Sequence, residues 1–175
     1  MHRPALKRFA GDRRGVSAIE FAFIAPVLIM VYFSIAELSL AMLAQLKVSH
    51  AASAVGDLVT QASTVDPGQL TDVYDASSSI IQPFPSTTMA VCVMSVTANA
   101  AGVPSIDWHN AQNMTCPTTP TLPTGLLGAS QSIVVSEVKY TYTSPMSYLF
   151  KAPIKFDQTF YLRPRQSAQV TCPTC

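Results

Sequence analysis

An apolar run of 26 residues, from residue 21 to residue 46, most constrains what this chain can fold into. The run contains a single charged residue, Glu37, and as an α-helix it would be about 39 Å long, which is enough to cross a bilayer. It is too long for a buried core helix in a chain of 175 residues, and it lacks the regular polar face of an amphipathic helix. It therefore predicts a transmembrane helix.

The basic residues predict the orientation of this helix. Five Lys and Arg residues precede the run within residues 1–14, whereas the first base after it is Lys47. By the positive-inside rule, we expect the N-terminus in the cytoplasm and everything after about residue 46 on the other side of the membrane.

The remaining charges exclude one class of partner. From residue 16 onward the chain has six bases and nine acids, so its net charge there is −3. No basic surface remains that could follow a phosphate backbone, and we expect no nucleic acid partner. Between Asp75 and Glu137 the single charge is Asp107, which is typical of an extracytoplasmic surface.

The helical pattern continues beyond the membrane run. Apolar residues recur at three-to-four spacing up to about Thr64, and the segment Asp66-Pro67-Gly68 is expected to end the helix. We thus expect one helix over residues 16–64, with its membrane part at about 21–46, an amphipathic half at 47–64 and a local kink at Pro26. Residues 65–88 predict a linker with a short helix at 70–81.

The segment before the apolar run is unlike an ordinary secretory signal. The run is about twice as long as a signal core, while the basic leader of residues 1–15 ends at Gly15 and is followed by Glu20. A carboxylate within lipid costs on the order of 2.5–3.5 kcal/mol unless it is compensated. Glu20 either lies near the interface and favours the helix N-terminus, or it neutralises the α-amino group that cleavage after Gly15 would create at Val16, in its own or a neighbouring subunit.

Residues 13–21, with the sequence RRGVSAIEF, are followed by Pro26 and the apolar run. Over about residues 11–50 the chain resembles the start of TadE-like pseudopilins of the bacterial tight-adherence (Tad/Flp) pilus systems. The resemblance implies that a prepilin peptidase removes the leader after Gly15, that Val16 becomes the new N-terminus, and that Glu20 and Phe21 form the assembly motif. The chain length implies a minor pseudopilin of the TadE or TadF type.

The same resemblance implies a structural subunit or assembly factor that acts in pilus biogenesis, adhesion and surface attachment. Its partners would be the inner membrane, the prepilin peptidase, other pseudopilins, the major pilin and the pilus assembly platform. It would have no small-molecule substrate and no cofactor, and it would be a single-pass inner-membrane protein with a periplasmic C-terminal domain. Two alternatives remain: an uncleaved bitopic protein whose periplasmic domain scaffolds or senses, and a tethered periplasmic thiol enzyme.

Residues 89–175 predict a small extracytoplasmic domain. Strand patterns occur at residues 89–98, 106–110, 133–142 and 156–162, and the third of these alternates clearly between two faces. We expect an α+β fold in which three to four antiparallel strands pack one apolar face on the exposed half of the long helix. Residues 110–130 show no helix or strand pattern and predict a loop that is either a contact surface or a dispensable insertion.

Four cysteines lie in this outer domain, where thiols oxidise, so we expect two disulfides. Three pairings are possible; we favour Cys92 with Cys116, because that pair closes the predicted hairpin and loop, and Cys172 with Cys175, because that pair is local. Cys172-Pro-Thr-Cys175 also has the CxxC spacing of redox centres and zinc half-sites. We expect neither, because a redox pair needs a helix after its first cysteine, and the available histidines lack paired spacing.

No other pattern indicates catalysis. The sequence contains no GxSxG, HExxH or phosphate-binding glycine-rich motif. His109 follows Trp108 and is interpreted as a packed hairpin residue rather than a base. We therefore expect that the chain is not an enzyme and that it has no metal site.

Overall fold

One long helix and one four-stranded sheet are the main elements of the computed structural model, which describes residues 15–175. The sheet is antiparallel throughout, with the strand order β2-β1-β3-β4. The elements in chain order are α1 (Val16–Thr60), α2 (Pro67–Ile80), a short 3-10 turn (Ser86–Thr88), β1 (Met89–Ala98), β2 (Pro104–Gln112), β3 (Ser132–Tyr142) and β4 (Ile154–Leu162). The predicted α+β fold, with a long N-terminal helix on a small antiparallel sheet, is confirmed.

The two halves of α1 differ in their surroundings. The helix has 45 residues and continues through Pro26. No side chain at residues 16–36 is buried, whereas ten residues from Glu37 to Thr60 are buried against the rest of the chain. We call residues 16–36 the free segment and residues 37–60 the covered segment. The expected membrane part at 21–46 therefore extends ten residues into the covered segment.

The covered segment lies close to the sheet because its inward side chains are small. Gly56 is buried, and a Cβ atom there would collide with Leu162 Cδ1 and lie 3.3 Å from Ser136 Cβ. The Ser136 hydroxyl donates a hydrogen bond to the Ala52 carbonyl over 2.8 Å. Such close approach needs glycine, alanine or serine at the contact. The inward small residues of the helix are Ala41, Ala44, Ala51, Ala52 and Gly56.

The sheet is covered on both faces. The face toward α1 contributes Val134, Val138 and Tyr140 to the main core. The opposite face carries a second cluster that includes Met94 and Val135. Residues 113–131 cover this second cluster with leucine side chains, so the loop that carried no secondary-structure pattern is a packing layer. Its covering apolar residues are Met114, Leu122, Leu126 and Leu127.

Helix α1 ends at Thr60, four residues before the expected boundary at residue 64, and a second helix follows within the expected linker. Asp66-Pro67-Gly68 begins α2 rather than only ending α1. The Asp66 carboxylate accepts from Gln69 N over 2.9 Å, and the Gln69 side chain accepts from Asp66 N over 3.1 Å. This capping box, with proline at the first helical position, is a typical helix start.

The C-terminal residues are attached to the end of α1 and to β2. Thr171 O accepts from Val65 N over 2.9 Å, and the Trp108 indole N–H donates to Val170 O over 2.8 Å. Trp108 is buried, but His109 is exposed, so the prediction that His109 packs within the hairpin is wrong. Side chains alternate along a strand, and Trp108 takes the inward position.

The structure contains two disulfides, Cys92–Cys116 and Cys172–Cys175, which are the pairs favoured from the sequence. Their Cα atoms are 5.6 Å and 5.5 Å apart. The first disulfide joins β1 to the loop of residues 113–131 and so attaches that loop to the outer face of the sheet. The second closes a short turn after Val170.

Candidate assembly site and the Glu37 contact

The residues predicted for processing and assembly lie at the start of α1. Gly15 is the N-cap of the helix and Val16 its first residue, while Glu20 and Phe21 are in the next turn. All four are exposed, and a Cβ atom at Gly15 would meet no other atom within 4 Å among residues 15–175. The basic leader before Gly15 lies outside the described residues.

Val16 and Glu20 are four residues apart on α1 and therefore lie on the same face, one turn apart. The head, which we define as residues 61–175, does not reach this turn, since the first buried residue of the helix is Glu37. The Glu20 carboxylate is therefore accessible to groups that do not belong to the head. It lies on the same face of the helix as Val16.

Glu37, in contrast, is completely buried and fully bonded by the head. Its carboxylate accepts hydrogen bonds from the Ser144 hydroxyl at 2.6 Å and from three successive backbone N–H groups: Tyr148 at 2.8 Å, Leu149 at 2.5 Å and Phe150 at 3.2 Å. Consecutive N–H groups that converge in this way form an anion-binding nest. We call this arrangement the Glu37 contact.

The Glu37 contact fixes the loop between β3 and β4 to the first covered turn of α1. A buried carboxylate is costly unless it is well hydrogen-bonded, and charge-assisted bonds of this kind are about twice as strong as neutral ones. Sequence reasoning recognised Glu37 only as the lone charged residue of the apolar run. The isolation of that charge was the available signal, since an acid in such a run requires a partner. Three of its four donors are backbone groups, which no residue pattern identifies.

A second polar attachment lies at the other end of the covered segment. Arg165 forms an ion pair with Asp57, and its backbone N–H donates to Thr60 O over 3.0 Å. Both side chains are partly exposed, so this pair contributes on the order of 0–1 kcal/mol. Together with the Glu37 contact it holds α1 to the head over about 20 residues.

The cysteines and acids of the head form no cation site within the described part of the chain. Cys172 and Cys175 are bonded to each other, and no three His, Cys, Asp or Glu side chains lie together in residues 15–175. The arrangement provides surfaces for binding other molecules. The free segment is an exposed apolar helix with an acid near its start, and the head is fixed to the second half of the same helix.

This architecture defines a protein with one N-terminal helix that is long and apolar enough to cross a membrane and that carries an α+β head. Residues 15–57 match the family model described as TadE-like protein. The match confirms the resemblance of this segment to TadE-like proteins of the Tad pilus system. It begins at Gly15 and covers 43 of the 175 residues, so the sheet lies outside it. No curated protein and no solved structure matched the chain significantly.

Proposed function

We propose that this chain is a minor pseudopilin, a structural subunit or assembly factor of a Tad-type pilus that acts in pilus biogenesis, adhesion and surface attachment. The observation that carries this proposal is the TadE-like match, which starts at Gly15 and includes Glu20 and Phe21. The protein would be anchored in the inner membrane with its N-terminus in the cytoplasm and its head in the periplasm, as the distribution of basic residues indicates.

The length of the free segment supports the membrane anchor. Residues 16–36 span about 31 Å as a helix, close to the roughly 30 Å hydrocarbon core of a bilayer. We therefore assign the membrane segment to about residues 16–36 rather than 21–46, with the Glu37 contact at the periplasmic surface. This assignment keeps the buried carboxylate out of the hydrocarbon core of the bilayer.

Lateral packing of helices is the proposed mechanism of assembly. Apolar side chains stay exposed beyond the free segment, at Leu38, Met42, Leu43 and Leu46. Above the membrane surface these side chains would face water in an isolated subunit, and large exposed apolar surfaces mark interaction sites. Packing against the helices of other pseudopilins or of the major pilin would bury them, with Glu20 fixing the register between subunits.

Processing after Gly15 by a prepilin peptidase is the most directly testable part of the proposal. We expect the intact mass of the membrane-extracted protein to correspond to residues 16–175 when the peptidase is present and to residues 1–175 when it is absent. Gly15→Ala should insert normally but keep the leader, because the larger side chain occupies the cleavage position. Gly11→Ala makes the same change within the leader and serves as the matched control.

Two results would contradict processing. If Gly15→Ala is trimmed as efficiently as Gly11→Ala, the cleavage position is wrong. If the unchanged chain keeps residue 1 in the presence of an active peptidase, the alternative of an uncleaved bitopic protein with a periplasmic scaffold or sensor domain is favoured.

A further inference from the structure

The loop between β3 and β4, residues 143–153, carries an apolar patch that no part of the proposed assembly mechanism uses. Outside α1, four large hydrophobic side chains are exposed among residues 15–175, and three of them lie in this loop. They are Met146, Tyr148 and Leu149, with 38%, 46% and 48% of their surfaces exposed. The fourth is Val103, in the turn between β1 and β2. We call the first three residues the loop patch.

The Glu37 contact determines where the loop patch lies. The backbone N–H groups of Tyr148 and Leu149 bind the Glu37 carboxylate, so both side chains project from a backbone that touches the first covered turn of α1. The free segment ends at that turn. Tyr32 and Phe33, which are exposed on the helix, lie roughly 6–8 Å below Glu37 along the axis. The loop patch is therefore next to the end of the proposed membrane segment.

We propose that the loop patch inserts into the interfacial layer of the periplasmic leaflet and forms a second, lateral membrane contact of the head. Tyrosine beside apolar side chains is the composition that favours the membrane interface, where its ring is in the apolar layer and its hydroxyl is hydrated. Lys151, two residues after Leu149, is exposed, so its ammonium group can reach lipid phosphates. The inference rests on the proposed membrane anchor.

Val103, at the opposite end of the sheet, provides a control position for this placement. At one end of the sheet, Tyr142 at the end of β3 pairs with Ile154, and the loop of residues 143–153 connects them. At the other end, Ser132 at the start of β3 pairs with Thr97, just before the turn from β1 to β2. The turn that carries Val103 therefore lies at the opposite end of the sheet, about 34 Å away along an 11-residue strand. Val103 is exposed and apolar like the loop patch but far from the proposed membrane surface.

Depth-dependent quenching by brominated lipid tests the contact. The full chain carrying Tyr148→Trp is incorporated as single copies into nanodiscs of phosphatidylcholine and phosphatidylglycerol brominated near the headgroup end of the acyl chains. We expect several-fold stronger quenching of its fluorescence than for the native chain, whose one tryptophan, Trp108, is buried. Val103→Trp in the same discs should be quenched no more than the native chain.

Each outcome decides the proposal. Quenching of Tyr148→Trp no stronger than that of Val103→Trp overturns it, and so does a blue-shifted but unquenched emission, which would indicate contact with protein. If Tyr148→Trp does not fold by circular dichroism, Leu149→Trp takes its place with the same expectation. Release of the native chain from membranes at alkaline pH would overturn the membrane anchor itself, whereas a retained but unquenched chain overturns the loop contact alone.

Discussion

Two acidic residues in the apolar part of α1, Glu20 and Glu37, differ in where their partners can come from. Glu37 is satisfied within the chain, by four donors of the loop at residues 144–150. Glu20 is exposed in a segment where no side chain is buried. Because an acid in lipid requires compensation, we propose that Glu20 pairs with the α-amino group of Val16 in its own or a neighbouring subunit. One acid thus organises the subunit, and we propose that the other organises the assembly.

Replacing Glu37 should loosen the loop before it affects the rest of the head. Glu37→Gln puts an amide N–H₂ group among donors that already point inward, so at least one of the backbone N–H groups of residues 148–150 loses its acceptor. We expect faster amide hydrogen exchange at these residues and a melting temperature lower by several degrees. Asp57→Asn, at the exposed ion pair with Arg165, is the matched control and should leave the loop protected. Equal protection in both variants would contradict the proposed role of Glu37.

Replacing Glu20 should affect assembly and leave the fold intact. Glu20→Gln removes the charge while keeping the shape, so a free amine at Val16 of a neighbouring subunit loses its partner. We expect correct insertion and processing but reduced co-purification with other pilus subunits and reduced piliation. Ser17→Ala, on the same free segment, is the control. Normal piliation by Glu20→Gln would exclude Glu20 as the residue that sets the register.

At the scale of elements, the contact between α1 and the sheet depends on small side chains more than on large apolar ones. Gly56 contacts Leu162 and Ser136, and the Ser136 hydroxyl bonds the helix backbone at Ala52. Small residues at this contact allow the helix to pack on the sheet in one position, because a shift along its axis would bring larger side chains against β3 and β4.

Gly56→Val should therefore destabilise the head by about 1–3 kcal/mol, as expected for overpacking of a tight contact. The leucine side chain can move aside, but the Ser136 Cβ belongs to a central strand and cannot. His50→Val places the same residue on the exposed side of the same helix and should change the free energy of unfolding by less than about 0.5 kcal/mol. Thermal or denaturant unfolding in detergent measures both. Equal stabilities would show that the helix is not seated as described.

In the whole molecule, local sequence patterns predicted the helices and strands, but the chain topology determines which residues bury them. All four strands and the long helix correspond to local patterns of alternation and length, and the two disulfides are the pairs that the positions of the cysteines favoured. The two-sided burial of β1 was not predicted, because it depends on the leucines of residues 113–131, which have no regular spacing. The pairing of Glu37 with a loop more than 100 residues away was not predicted for a similar reason: the donors are mostly backbone groups.

The boundary between the membrane segment and the head is another feature that local sequence patterns do not define. Hydropathy cannot distinguish an apolar residue that faces lipid from one that is buried by protein. Ala41 and Ala44 are apolar, yet they are buried against the head. If the covered segment folds together with the head, a chain of residues 36–175 retains the Glu37 contact and the full covered segment. A chain of residues 47–175, cut at the boundary that hydropathy alone suggests, loses Glu37, Ala41 and Ala44. We expect the longer chain to melt several degrees higher and to protect the amides of residues 148–150 from exchange, although its exposed leucines at 38, 43 and 46 make it the more prone to self-association. Equal melting temperatures and equal protection in mild detergent would mean that the ten residues after the free segment contribute nothing to the head and belong to the membrane.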